Sequence, residues 1–334
     1  MAKSTPIISI VVPTYNEEHN IRTCLESIIS QDYPAKAIEV IVVDNRSTDR
    51  TLNIVREFKD KCPNISLIFN DTAKDAEISK MIGLHAASGE LFLYLDADIE
   101  IVGTTWLTKL VEPLTRDNSL AGSFPRFIPK PDDCSIGRYL RYHPLELDPV
   151  FQFFCIPIEA TIVERMTEYD VCEFHAPRLP PIGICIYRKD TLLKLIGSRA
   201  KFMDIDVPVI LAKNGFDRFA YVRLCGIYHT NVKSLWELIK RRRRNIDLIY
   251  LPNLETREFV YFDMRSIKDV SKIALWMVAA NLVLPLSFAG VWKSVRHRDV
   301  ACMYEPLVAI MLSDTIAWGF LRNKSRAKVF WRRR

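Results

Sequence analysis

The chain has 334 residues, of which 49% are hydrophobic, and 46 basic against 40 acidic side chains give a net charge of +6. That is enough apolar chain for a large core and exceeds one minimal domain. The eight cysteines are scattered without a C-x-x-C pair, which excludes a zinc module and reads as the reduced thiols of a cytosolic protein.

Ile8 to Val12 reads as a short buried strand, followed by the turn Pro13-Thr14-Tyr15-Asn16-Glu17-Glu18. A helix is expected from about Glu17 to Ser30, with Ile21, Leu25 and Ile28 at helical spacing. Val40 to Val43 is uniformly apolar, as a buried parallel strand should be. It ends at Asp44, and Ser47-Thr48-Asp49 supplies cap residues for a helix through Phe58. Ile65 to Phe69 is a third strand, Asp75 to Ala87 a third helix and Leu91 to Leu95 a fourth strand ending in Asp96-Ala-Asp98. This alternation predicts a doubly wound, parallel-core α/β sheet with helices on both faces. Ligands of such sheets sit at the carboxyl ends of the strands, so Thr14 to Glu17, Asp44 and Asp96/Asp98 should converge. An Asp-x-Asp there can hold a hard divalent cation, and the cation a diphosphate. No Gly-x-Gly-x-x-Gly follows the first strand, so the dinucleotide alternative lacks its own motif.

Three motifs, Val11-Val-Pro-Thr-Tyr-Asn-Glu-Glu18, Ile41-Val-Val-Asp-Asn-Arg-Ser-Thr-Asp-Arg-Thr51 and Leu95-Asp-Ala-Asp98, come in order across residues 7 to 101. Together they resemble the nucleotide-sugar half of a family 2 glycosyltransferase with a GT-A fold. The resemblance implies that Pro13, Thr14, Tyr15 and Glu17 line the nucleotide pocket and that Asp44 accepts a hydrogen bond from the base. It places Asp96 near the ribose and metal, and Asp98 on Mg²⁺ or Mn²⁺ against the diphosphate. Many members have an Arg facing a phosphate where Lys80 stands; the competing reading of Lys80 is a solvated helix lysine.

Beyond Thr104 the pattern loosens. Residues 124 to 149, rich in Pro, Asp and aromatics, read as irregular loop over the active site. The stretch around Gly183 resembles the family's Gly-containing strand and is followed by a helix from Asp190. Lys201-Phe-Met-Asp204-Ile-Asp206 aligns with a segment that usually reads Glu-Asp-x-Asp, with Met203 in place of the Glu. The resemblance gives Asp204 the role of general base toward an acceptor hydroxyl, with Asp206 as runner-up in the role of base or helix cap. His229 sits where some relatives place a further metal ligand; a structural histidine is the alternative.

Lys240 to Arg244 is a run of five cations on one expected helix, where neighbours point about 100° apart. A solvated or membrane-facing basic face is one reading. A phosphate clamp through two or three of them, such as Arg241, Arg243 and Arg244, is another. Nucleic acid is not an expected partner.

Ile273 to Trp292 is an uncharged run, roughly 30 Å long as a helix. Val300 to Leu321 is apolar but interrupted by Glu305, Pro306 and Asp314, and the intervening loop and the segment from Arg322 to Arg334 are basic. Either a two-pass or a one-pass reading exports cations against the positive-inside tendency, so two helices lying in or dipping into the interface are expected. A soluble core hairpin and a transmembrane hairpin are the alternatives. The N-terminal residues carry no apolar leader, so no secretory signal is expected.

The expected organisation is a nucleotide-sugar-binding half over 1–103, an acceptor-binding half over 104–250, an apolar helical region over 251–322 and a basic tail over 323–334. The resemblance implies an inverting transfer from a nucleoside-diphosphate sugar, a UDP-sugar by family frequency. The acceptor would be a glycan or lipid-linked hydroxyl, at the cytoplasmic face of a membrane. The rivals are a polyprenyl-phosphate glycosyltransferase and, from another class, a non-catalytic nucleotide-sugar-binding scaffold on a membrane.

Overall fold

The structure is a computed structural model that describes residues 5–72, 74–143, 149–229, 232–253, 256–263 and 265–323. Its elements begin with β1 (Ile8–Thr14), α1 (Ile21–Ile29), β2 (Ile38–Asp44), α2 (Thr51–Lys61), β3 (Ile65–Phe69), α3 (Ala76–Ala86) and β4 (Leu91–Tyr94). There follow β5 (Ile99–Ile101), α4 (Trp106–Arg116), β6 (Gly122–Phe127), α5 (Ser135–Arg141), α6 (Pro149–Phe154), β7 (Ile162–Arg165), β8 (Asp170–Glu173) and β9 (Ile186–Arg188). The chain continues through α7 (Lys189–Ile196), α8 (Val207–Lys213), β10 (Arg218–His229), α9 (Leu235–Asn245), α10 (Ile267–Leu282), α11 (Leu284–His297) and α12 (Glu305–Arg322). They form two compact units, Met1–Ile128 with Ile158–Thr230, and Pro129–Pro157 with Asn231–Arg334.

The first unit is built on one sheet of strand order β3-β2-β1-β4-β9-β6-β10-β8-β7, with β5 paired to β10. Strands β3, β2, β1 and β4 are mutually parallel, as their apolar runs predict. The order reverses at β1, whose neighbours are β2 and β4, and the ends of these strands define the binding crevice of such a sheet. Pro13 helps to open it. Val11 accepts from Leu95 N–H on the β4 side, and Pro13, two residues on, faces the same way. Pairing with β4 has stopped at Tyr94, so the proline's missing N–H costs no ladder bond there. Helix α3 lies close on β1 because Gly83 has no side chain: a Cβ there would stand 2.3 Å from Val11 Cγ1.

Three local expectations are corrected. The first helix begins at Ile21 rather than Glu17, because Glu17 to Asn20 are drawn into a turn whose amides are bound by Thr51 and Asp49. Residues 122–127 form strand β6 and 135–141 helix α5, where the sequence reads as loop; Pro129, Pro131, Asp132 and Asp133 occupy the link between them. The strand near Gly183 is confined to Ile186–Arg188.

The second unit packs Tyr139 and Leu140 of α5, Val150 of α6, Leu238 of α9, Trp276 and Ala280 of α10, Leu286 of α11 and Leu312 of α12 into one apolar cluster. Buried charges are paired within it. Asp299 accepts from the Arg138 guanidinium at 2.8 and 3.3 Å and from Tyr142, and Glu305 accepts from Lys293 and Tyr139. The arginine holds the Asp299 carboxyl down to about 2, with help from the Ala301 amide and Tyr142 against the cost of burial. Trp276 donates to Ser313 at 2.8 Å inside the cluster. The apolar run from Ile273 is not one straight helix: it breaks at Val283, and α10 and α11 meet at a bend of 79°. Val300–Arg322 is, among the described residues, the one helix long and apolar enough to cross a membrane, with 39% of its apolar window buried within the protein.

Candidate active site

The carboxyl ends of β1, β2 and β4 carry Thr14, Asp44 and, two residues past β4, Asp96. The first two loops are locked to each other. Asn16 and Arg46 both adopt positive φ, and Asn16 accepts from Thr48 N–H while its own amide donates to Ser47. Asp44 is fully buried and accepts from both the amide and the hydroxyl of Ser47, at 2.9 and 2.6 Å. Glu17 accepts from Asn20; burial raises its carboxyl above the usual range, and the charges of Asp98, Asp96 and Asp49 add to this against the Asn20 bond. Tyr15 is partly exposed and packs against the Lys74 ammonium. Thr14 Oγ1 is buried without a hydrogen-bond partner among the described residues.

Helix α3 is fixed above these ends by a buried amide network. Asn45 Oδ1 accepts from Asn70 and from Ser79 at 2.8 Å each, and Asp75 caps the helix through Glu77 N–H. The geometry rejects a solvated Lys80: the residue is 1% exposed. Its ammonium lies 3.1 Å from Glu77, 3.4 Å from Asp96 and 3.9 Å from Asp204, and 4.3 Å above the Tyr94 ring. Those carboxylates raise the lysine's affinity for its proton, overcoming the opposing effect of burial.

Asp204 reaches this point because Phe202 anchors its segment. The Phe202 ring is buried against Phe92, Tyr94 and Tyr187, its amide donates to Glu77 O, and Lys201 pairs with Asp75 at 2.7 Å. Asp204 remains a third exposed and accepts from the Ile205 amide. Asp206 is 1% exposed at the start of α8, which suits a structural position better than contact with an acceptor.

His229, at the end of β10, lies with Nε2 3.1 Å from Asp98 Oδ2. The pair comes from the β4–β5 turn and a strand paired antiparallel to β5. Among the described residues no cluster of three His, Cys, Asp or Glu forms a closed metal cage. Two adjacent donors fit an ion that completes its shell with substrate phosphates and water, as Mg²⁺ and Mn²⁺ sites do.

The cations expected at a phosphate or membrane sit in the second unit. Arg243 and Arg244 are exposed and Arg241 half-buried, while Arg242 is buried with its guanidinium 4.4 Å over the Phe151 ring. Arg243 lines a cleft of about 270 Å³ with Arg322, Asp247, Asp314 and Trp318, where two acids balance the two arginines.

Sequence reasoning missed Glu77 and Phe202. Burial pushes the Glu77 carboxyl up to about 8; Asp204 and Asp96 push the same way and Lys80 opposes them. Its Oε2 has no hydrogen-bond partner among the described residues. An acid three residues before Lys80 on a helix was the available signal.

This sheet, with its acidic crevice at the reversal point, is a GT-A fold. Residues 9–156 match the family described as Glycosyl transferase family 2. It is 36% identical over 98 residues to glycosyltransferase AglE of Haloferax volcanii, covering 29% of this chain and 32% of that protein. It is 37% identical over 92 residues to a dolichyl N-acetyl-alpha-D-glucosaminyl phosphate 3-beta-D-2,3-diacetamido-2,3-dideoxy-beta-D-glucuronosyltransferase of Methanococcus voltae, covering 27% and 28%. The matched stretch thus spans about a third of the length of these curated relatives. Among solved structures, mannosyltransferase PcManGT from Pyrobaculum calidifontis, in complex with GDP-Man and Mn²⁺, superposes with a TM-score of 0.58 at 19% identity. That match covers 95% of this chain and 88% of that one.

Proposed function

We propose that the protein is an inverting glycosyltransferase that moves a sugar from a nucleoside-diphosphate sugar to an acceptor hydroxyl on a lipid-linked or cell-surface glycan. The supporting observation is the convergence on Lys80, where the donor-side Asp96 and the acceptor-side Asp204 share one buried ammonium. In this reading Pro13, Thr14, Tyr15 and Glu17 line the nucleotide pocket, and Asp44, already oriented by Ser47, receives a hydrogen bond from the base. Asp98, Asp96 and His229 are the groups that would hold Mg²⁺ or Mn²⁺, and the bound ion would supply positive charge to the diphosphate. Lys80 acts by holding Asp96 and Asp204 at a fixed spacing.

Asp204 takes the proton from the acceptor hydroxyl as that oxygen bonds to the anomeric carbon. The bond from that carbon to the phosphate oxygen breaks, and its electron pair leaves with the nucleoside diphosphate. One displacement inverts the centre. The Methanococcus voltae relative bears the name of an enzyme of dolichyl-linked sugars, which supports a lipid-linked acceptor. The exposed apolar helices of the second unit support work at the cytoplasmic face of a membrane, as a peripheral or monotopic protein.

The test is a thermal-shift screen against UDP, GDP and TDP and their sugars, with and without Mn²⁺, since ligands that bind only the folded state raise its apparent stability. A metal-dependent shift with one nucleotide, absent in Asp98→Ala, is the expected result. No shift with any of them, in protein shown to be folded, overturns the reading.

A further inference from the structure

Helices α10 and α11 leave a large apolar surface uncovered. Trp276, Ala280, Leu286 and Gly290 turn inward. On the outer side Leu275, Val278, Leu282, Val283, Leu284, Phe288, Val291 and Trp292 are between 41% and 73% exposed. Singly exposed apolar residues need no explanation, but a contiguous face of this size does. From Ile273 to Trp292 this face carries no charge at all. Its polar side chains are satisfied locally: Asn281 donates to Met277 O and Ser287 to Val283 O, each one turn back along the helix.

Charge returns at both ends and there it is basic outward. Lys268 and Lys272 stand exposed on the first turns of α10, and Arg296 and Arg298 at the end of α11, with Arg296 over the Trp292 ring at 5.2 Å. The nearby acids face inward, Asp269 toward the Asp263 amide and Asp299 toward Arg138. A protein partner requires no such pattern, whereas an anionic bilayer does: apolar side chains below, a tryptophan at the boundary and cations at the headgroups.

We infer that α10 and α11 form a re-entrant wedge that enters one leaflet of an anionic membrane, with Val283 at its tip, and returns without crossing. Arms of sixteen and fourteen residues are about 24 and 21 Å long. With the 79° bend shared equally, each arm descends at about 40°, and the tip lies roughly 14 Å below the ends, half of a hydrocarbon core of about 30 Å. Val283 holds the bend at φ 59°, a conformation that a β-branched residue adopts only under constraint. The inference rests on the reading that the protein works at a membrane and is independent of the sugar-transfer chemistry.

The test uses the full chain with sealed vesicles of phosphatidylcholine, with or without about 30% phosphatidylglycerol as the anionic lipid. Flotation with the anionic vesicles is expected, falling at least about tenfold in Val283→Asp/Phe288→Asp, while an unchanged urea-unfolding midpoint checks folding. Environment-sensitive dye is then attached to Leu282→Cys, Lys268→Cys and Arg298→Cys. Quenching of position 282 by lipids with a deep acyl-chain nitroxide, and of 268 and 298 by headgroup nitroxide on the same side, supports the wedge. Labels at 268 and 298 on opposite sides of the vesicle, flotation that the double substitution leaves intact, or a dimer that buries Phe288 without binding lipid would each overturn it.

Discussion

The Lys80 ammonium lies 3.9 Å from the Asp204 carboxylate, so helix α3 and the segment leading into α8 meet at one buried charge. Because Asp96 shares that charge at 3.4 Å, the site is an electrostatic unit rather than a set of independent residues. Removing the cation leaves three acids facing one another. Lys80→Met should therefore destabilise the protein by about 3 kcal/mol or more, as breaking a buried pair does, and it should lower turnover as well. Denaturant unfolding of Lys80→Met beside Lys80→Met/Asp96→Asn checks this. The second change should restore part of the lost stability.

Asp204→Asn keeps the size of the side chain and removes its basicity. For a hydroxyl acceptor the loss in kcat should be about 10²–10⁴-fold, with the nucleotide-induced thermal shift unchanged. A loss under about threefold would favour an acceptor that is already an anion, such as a polyprenyl phosphate, which needs little help in losing a proton.

Glu77 occupies the neighbourhood that Met203 does not serve. Its Oε1 contacts Lys80 and its backbone carbonyl holds Phe202. Glu77→Ala leaves that backbone carbonyl in place but removes the side-chain contact to Lys80, and should loosen Asp204 through the lysine, lowering kcat by about tenfold, the effect of misplacing a catalytic group, with KM for the donor little changed. Glu77→Gln should preserve most activity, since it keeps an acceptor beside Lys80. Equal kcat in the alanine variant and the parent would remove Glu77 from the site.

Gly83→Ala places a Cβ 2.3 Å from Val11 Cγ1, and one of α3 and β1 must yield. Overpacking of this kind costs about 1–3 kcal/mol. Since α3 carries Lys80, a crowded Gly83 should lower activity more than an equally destabilising change in the second unit, such as Ser313→Ala. That change strands the Trp276 indole N–H, at about 1–3 kcal/mol. Paired urea melts and assays decide it.

The second unit has its own acid sensitivity. Asp299 is held down to about 2 in the folded protein, chiefly by Arg138, against about 3.9 when unfolded. A depressed carboxyl contributes stability that is present above the unfolded value and lost as pH falls through the folded one. The stability difference between the wild type and Arg138→Met should therefore be full at pH 6 and shrink between about pH 4 and 2. Urea midpoints at pH 6, 5, 4 and 3 read it directly, and a difference independent of pH would exclude this assignment.

The first strands were legible because β2 and β4 carry apolar runs closed by an acid, at Val43-Asp44 and Leu95-Asp96. The later strands were less so. Gly122–Phe127 contains a proline and an arginine yet forms β6, since its pairing with β10 and β9 overrides local propensity. Lys80 was visible as a lysine in a helix, but its burial was not. That follows from Asp96 and Asp204, distant in sequence, joining the local Glu77 around one ammonium, and no local periodicity encodes their meeting. The break at Val283 was equally hidden, because the run around it is helical in composition on both sides.

Strand β9 has a mechanical consequence. It is short, but it pairs with β4 on one side and β6 on the other, stitching β3-β2-β1-β4 to β6-β10-β8-β7 through backbone hydrogen bonds. A hinge between these parts would have to tear the middle of a sheet. The site consequently has no clamshell motion available to it, and any enclosure of the reacting groups falls to the loops at its rim.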